Sequence, residues 1–341
     1  MKYPGRNGYN IKMEIKTSII TGGEIKMNSG RRIAEGGALL ALYCILLFIT
    51  IQIPPLGIFT TFFLPIPFIL VTIKQKLSWS LGYLFVASLL SILIGTILSV
   101  PLTLLMGATG IAIGYFLKKD KPMAPMFISA VLVFLGGILL MYAASVLITD
   151  VNYIEESMNI LEGSIENSIG IMDSFGQAPT EQVKKRMYES IDMMNTLMPS
   201  LFVLMSVIMV LLIFLAAHPI VKRFSDKALK WPHFRDLRLP KSLLWYYLIT
   251  MLLALFVNTD KNSFVYMAIT NLFFILQFFI LLQGYSLIFY IAHVKSWVKA
   301  IPVLIVVFSL LLPIPIITTA VRFLGIIDLG FPFRETIKKK E

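Results

Sequence analysis

One cysteine and three histidines in 341 residues leave this chain little with which to hold a metal or close a disulfide. Cys44 has no partner for an intramolecular bridge. His218, His233 and His293 are widely separated, and none has a second ligand at metal-binding spacing. No Gly-Lys pair occurs, which removes the phosphate-binding loop, and no G-x-S-x-G occurs, which removes the nucleophile elbow. Charged residues make up only 14% of the chain, and none lies well inside its long apolar runs; Glu35 and Arg322 stand at their boundaries. Ion-coupled pumps, proton relays and charged filters need ionisable groups at membrane depth, so those mechanisms are disfavoured. No catalytic constellation, metal or cofactor is expected, and the chain does not read as an enzyme.

What is present is apolar sequence. The composition is 57% hydrophobic, the mean hydropathy is +0.82, and nine apolar runs dominate the chain. They lie near Gly36 to Ile53, Leu56 to Ile73, Ser80 to Ser99, Leu102 to Leu117, Met126 to Ile148, Leu201 to Ala217, Leu243 to Val257, Ser263 to Ala292 and Val298 to Thr319. Most approach the roughly 20 residues that a helix needs to cross about 30 Å of hydrocarbon. The fold class is therefore all-α: a polytopic transmembrane helical bundle of eight or nine spans, without room for a large soluble domain. The net charge of +11 reflects short connections facing anionic lipid, and nucleic acid is not an expected partner.

Residues 1–32 form a basic lead with no short apolar core or small-residue cleavage site of a signal peptide. Gly22-Gly23-Glu24, two codons before Met27, is encoded as GGN-GGN-GAR, which can read as a ribosome-binding site. A native start at Met27 is the expectation, and a genuine basic tail remains the alternative.

Charge sets the topology. Seven Lys or Arg precede the first span, Lys74 and Lys76 follow the second, and Lys118, Lys119 and Lys121 follow the fourth. The connections between, Pro54-Pro55 and Ser99 to Pro101, carry none. Seven more follow the sixth span (Lys222, Arg223, Lys227, Lys230, Arg235, Arg238 and Lys241), and Lys295 and Lys299 follow the eighth. The positive-inside rule places these connections and the amino terminus in the cytoplasm of a multi-pass protein of the cell membrane. Nine crossings would leave the tail outside, yet it holds Arg322, Arg334 and Lys338 to Lys340. A bent or re-entrant last run, interrupted by Pro313 and Pro315, would return it to the basic side.

The connection from Thr149 to Ser200 carries nine acids against three bases and should face outward. Ile154, Met158, Leu161, Ile165, Ile169 and Met172 recur every three or four residues, which predicts an amphipathic helix. After a turn at Asp173 to Gln177, a second stripe runs through Val183, Met187, Ile191, Met194 and Met198, with Pro179 expected in its first turn. The pair predicts an outer helical hairpin over residues 150–199. It reads as a lid, as a docking surface, or as a hairpin that merely packs on the ends of the spans.

Small residues form ladders that imply close helix contact: Ala87, Ser91, Gly95 and Ser99; Gly110 and Gly114; and, in the first span, Ala34, Gly37, Ala38 and Ala41. Internal packing is the commoner meaning of such ladders, and docking on another subunit the rarer one. Gln52, Asn271, Gln277 and Gln283 are uncharged polar residues within spans. They either line a pocket or bond between helices.

Ala34-Glu35-Gly36-Gly37-Ala38-Leu39-Leu40-Ala41, then Pro54-Pro55-Leu56-Gly57 and Leu64-Pro65-Ile66-Pro67-Phe68, resemble the start of the YybS-like family of bacterial membrane proteins. Leu324-Gly325-Ile326-Ile327-Asp328 and Phe333-Arg334 resemble its end. That family carries no established activity. More distantly, the first six spans with their long outer connection are similar to the substrate-binding S components of energy-coupling-factor vitamin transporters. In those proteins a small-residue motif in the first span docks on a transmembrane coupling subunit; Ala34, Gly37, Ala38 and Ala41 are the matching positions. The resemblance implies a six-span domain over residues 33–220; charge and hydropathy add a basic connection over 221–242, further membrane helices over 243–325, which depart from the six-span pattern, and a tail over 326–341. It also implies a solute-binding role alongside a coupling subunit and ATPases. The alternative is a scaffold or regulator of cell-envelope processes that contacts envelope proteins and transports nothing.

Overall fold

The computed structural model describes residues 29–149, 152–225, 233–256, 263–311, 315–331 and 333–338. The expected start at Met27, and Pro313 in the last run, lie outside the described residues.

Every regular element among the described residues is helical. Seven segments among the described residues are long and apolar enough to cross a membrane: Gly30–Gln52, Pro54–Lys74, Leu77–Ile94, Ser99–Lys118, Met123–Leu147, Met198–Phe224 and Phe264–Val294. They match the first six expected runs and the eighth. Helix α1 (Ser29–Gln52) starts two turns before the apolar run does, so Arg31 and Glu35 lie within it and pair at 3.1 Å. The second segment is not one straight helix. Pro54 opens α2 (Pro54–Thr60), a 3₁₀ turn occupies Thr61–Phe63, and α3 (Ile66–Lys74) resumes after Pro65, because the prolines lack the N–H that an uninterrupted ladder requires. Helices α4 (Leu77–Ile94), α5 (Ser99–Lys118) and α6 (Met123–Thr149) follow.

Helices α1 and α3 to α6 share one core with α9 (Met198–Phe224). At its centre Phe68 meets Tyr43 and Tyr83 edge to face, with centroids 5.0 and 5.1 Å apart, and the Tyr43 hydroxyl donates to Thr103 at 2.7 Å. Two of the small-residue ladders lie in this core. A Cβ on Gly110 would stand 2.5 Å from the Pro65 carbonyl oxygen and one on Gly114 2.8 Å from that of Ile69, so only glycine lets α5 approach the α3 backbone this closely. On α4, Ala87 and Ser91 are fully buried, and Ser99 donates to the Ser91 carbonyl at 2.6 Å. The basic ends of this unit converge. Lys74 reaches Glu35 at 3.3 Å, and Lys118 donates to the Gln75 carbonyl at 2.6 Å.

At the opposite end lies the acidic hairpin, α7 (Tyr153–Ser174) and α8 (Glu181–Thr196). Asn152 caps α7, Gly176 makes the turn at φ +69°, and Thr180 caps α8. Pro179 therefore precedes the helix and does not sit in its first turn; the hydroxyl of Thr180 supplies the acceptor that the first N–H groups need. The inner stripe is seated where Met158 and Ile191 are buried.

The rest of the chain forms a second unit. Helix α10 (Ser242–Phe256) has only 15 residues, whereas α11 (Phe264–Val294) has 31. The last apolar run is split into α12 (Ala300–Leu311) and α13 (Pro315–Gly330). At 12 and 16 residues each falls short of the roughly 20 needed to cross. Helix α13 packs antiparallel on α11. A Cβ on Gly284 would collide with the Val321 carbonyl, and one on Gly325 with the Ile280 carbonyl. It ends where Leu329 joins Tyr247, Leu276 and Ile280, well short of Phe264. The short helix α14 (Phe333–Lys338) then turns back, and the Tyr290 hydroxyl donates to the Arg334 carbonyl at 3.2 Å. Helix α13 thus stops short of the Phe264 end of α11, and α14 brings Arg334 back to the level of Ser286 and Tyr290, the course that a re-entrant last run would take. Asp328, expected in a tail, lies inside α13.

The two units are tied together near the hairpin. The Asn271 side-chain oxygen accepts from the Ser200 backbone N–H at 2.9 Å, and its amide donates to the Thr196 carbonyl at 2.7 Å.

Candidate functional site

Two places stand out. The first is a polar clamp at the end of α13, eight to eleven residues in from Val294 along α11, or about 12–17 Å at 1.5 Å per residue. Asp328 and Arg334 form an ion pair with side chains 2% and 3% exposed. The guanidinium donates to both carboxylate oxygens, from Nε to Oδ1 at 2.9 Å and from an η nitrogen to Oδ2 at 2.6 Å. Its remaining donors reach the carbonyls of Arg235 at 2.7 Å and Leu237 at 3.1 Å, and the Ser286 hydroxyl at 3.1 Å. Gln283 donates to Asp328 Oδ2 at 2.5 Å and accepts from the Leu239 N–H at 3.0 Å. Ser286 donates to the Phe234 and Leu237 carbonyls at 2.9 and 3.0 Å. The Arg334 guanidinium also lies 5.2 Å from the centre of the Tyr290 ring.

The local sequence explains the clamp. Gly330 and Phe331 end α13, so α14 can fold back. The 3₁₀ turn Phe234–Asp236 closes on the Phe234 carbonyl, which accepts from the Leu237 N–H, and presents the Arg235 and Leu237 carbonyls to Arg334. The planar fork of arginine suits a carboxylate and two carbonyls at once, which a lysine ammonium could not match. The carboxylate is neutralised and both side chains are occupied, so the clamp holds chain segments together and offers no free charge for moving ions. Beside it lies a cavity of about 90 Å³ lined by Arg238, Lys241, Gln283, Asp328, Phe331 and Arg334, among others. The sequence singles out Gln283 as a pocket-lining or bridging residue, and Asp328 and Arg334 only as parts of the closing motif; their meeting in one clamp with residues 234–239 is not legible there. The available signals were a single acid in an otherwise apolar Leu324 to Gly330, and Gln283 in the long eighth run.

The second place is the face expected to dock. Ala34, Gly37, Ala38 and Ala41 are all exposed on α1, and a Cβ on Gly37 would meet nothing within 4 Å. This ladder faces outward, unlike those of α4 and α5. Next to it a groove between α1 and α4 is lined by Gly36, Gly37, Leu40, Trp79, Gly82 and Tyr83, among others. The Tyr83 hydroxyl is buried without a hydrogen-bond partner among the described residues. Of the polar span residues, Asn271 and Gln283 bond between elements, and Gln52 is exposed.

This is a polytopic helical membrane protein with no strand among its described residues. The chain belongs to the family described as "Predicted membrane protein (DUF2232)", which it matches over residues 41–329. It is similar to the "Uncharacterized protein YybS" of Bacillus subtilis (strain 168), at 30% identity over 313 residues, covering 92% of this chain and 100% of that protein. No solved structure matches.

Proposed function

We propose that this protein is a membrane-embedded component of a larger assembly, docked on a second membrane protein through α1, and that it performs no bond-making chemistry of its own. The observation that carries this reading is the outward-facing stripe of Ala34, Gly37, Ala38 and Ala41 beside the α1/α4 groove. In a bilayer, helix association gains most from close packing of small residues, because lipid tails solvate large apolar side chains as well as a partner does. A buried hydroxyl at the groove without a partner, that of Tyr83, supports an incoming polar group.

In its fuller form the reading is that of a solute-binding component, orientated with its amino terminus in the cytoplasm and energised by partner ATPases. The likeness of the first six spans to transporter S components supports it. Replacing Ala38 and Ala41 by Leu tests the docking face. Native mass spectrometry of protein drawn gently from its own membranes should show a partner subunit lost from the double variant while the variant stays folded. Unchanged association overturns the reading.

A second reading, a scaffold or regulator of envelope processes without transport, is favoured by a specific feature. The clamp fixes the basic connection and the tail to one another, and leaves Arg238 and Lys241 exposed. Envelope proteins, with no coupling subunit and no solute, in the same mass spectra would favour it.

A further inference from the structure

A cleft of about 410 Å³ opens between α11, α12 and α13, lined by Ile288, Ile291, Trp297, Ile305, Val321 and Leu324, among others. Its lining is almost wholly apolar, so ordered water has no partners in it. Its size is within the range of small-molecule sites. In a bilayer an acyl chain is the apolar molecule always at hand.

The surroundings select the headgroup. Trp297 sits in the turn between α11 and α12, where Ser296 adopts φ +51°. Lys295 and Lys299 flank it two residues to either side, and both are exposed. Neither lysine has an ion-pair partner among the described residues. From Phe264 to Ile327 the sequence contains no Asp or Glu at all. Paired lysines around a tryptophan at the mouth of an apolar cleft match the cross-section of a lipid, with phosphate at the lysines, ring at the glycerol level and chain below.

We propose that this cleft holds one anionic phospholipid, an acyl chain wedged between α11 and α13, and its phosphate against Lys295 and Lys299. The lipid would complete the packing of a hairpin that protein alone leaves open on this side.

The test uses the full-length protein in nanodiscs of phosphatidylglycerol mixed with phosphatidylcholine, released into native mass spectrometry. One phosphatidylglycerol should remain bound preferentially. Lys295→Gln with Lys299→Gln should lower its retention by roughly 30-fold, the scale for two lysines at an anionic headgroup. Ala320→Trp, which fills the cleft from an exposed position, should lower retention of either lipid. The lysine variants alter only exposed side chains and keep the test sound if Ala320→Trp fails to fold. Equal retention of the two lipids by the unaltered protein, or retention of phosphatidylglycerol unchanged in the lysine variant, overturns the proposal. So does displacement of the lipid by inorganic phosphate alone, since that would locate binding in the lysines without the cleft.

Discussion

Asp328 and Arg334 are six residues apart in sequence, and the break between α13 and α14 turns them face to face at 2.6 Å, buried among carbonyls of a connection nearly a hundred residues earlier. That pairing joins the tail, the link between the two units and the long helix α11 into one fixture. Burying both charges is costly, and the pair is sustained because every strong donor and acceptor around it is matched.

Removing one member should therefore hurt more than removing both. Arg334→Met or Asp328→Asn is expected to lose about 3–5 kcal/mol, because an uncompensated charge or an unmatched set of carbonyls stays behind. The double change Asp328→Leu with Arg334→Met should cost less than the sum. Thermal unfolding in detergent, followed by tryptophan emission, gives the comparison, and Arg334→Lys should fail to restore the stability of the native pair.

A last run that re-enters, as its prolines and basic tail lead one to expect, makes a topological prediction. In a Cys44→Ser background, cysteines placed at Asp236 and at Glu335 should react with an impermeant maleimide from the same side of the membrane. One placed at Gln177, in the hairpin turn, should react from the other. Labelling of Asp236→Cys and Glu335→Cys from opposite sides would mean that the final run crosses.

Glycines with the same local sequence character should differ sharply in tolerance. Gly284→Val and Gly325→Val force apart backbones in contact and should cost at least the 1–3 kcal/mol typical of overpacking, with visible loss of folded yield. Gly37→Val has open space around it and should leave the melting temperature of the isolated protein unchanged.

Asn271 joins the two units through both ends of its amide. Asn271→Leu leaves the Ser200 N–H and the Thr196 carbonyl without their partner and should cost about 1–3 kcal/mol. Limited proteolysis should show faster cleavage between residues 225 and 242 if the units then separate.

The apolar runs by themselves determined that the chain is a helical membrane protein, because a bilayer core leaves every backbone polar group to be satisfied within its own helix. The period of Ile154 to Met172 likewise determined the hairpin. Three things were decided only by tertiary structure. Equivalent small-residue ladders went to different fates, those of α4 and α5 into the core and that of α1 onto the surface, since spacing records that a helix face is flat but not what lies against it. The prolines of the second run supply a local cause for its break into α2, a 3₁₀ turn and α3, but the close seating of α3 on the glycines of α5 was set by packing. The clamp brought together residues from positions 234–239, 283–290 and 328–334, each unremarkable in its own segment; an ion pair is stable in that place only because folding carries its partners there and removes the water that would otherwise compete for them.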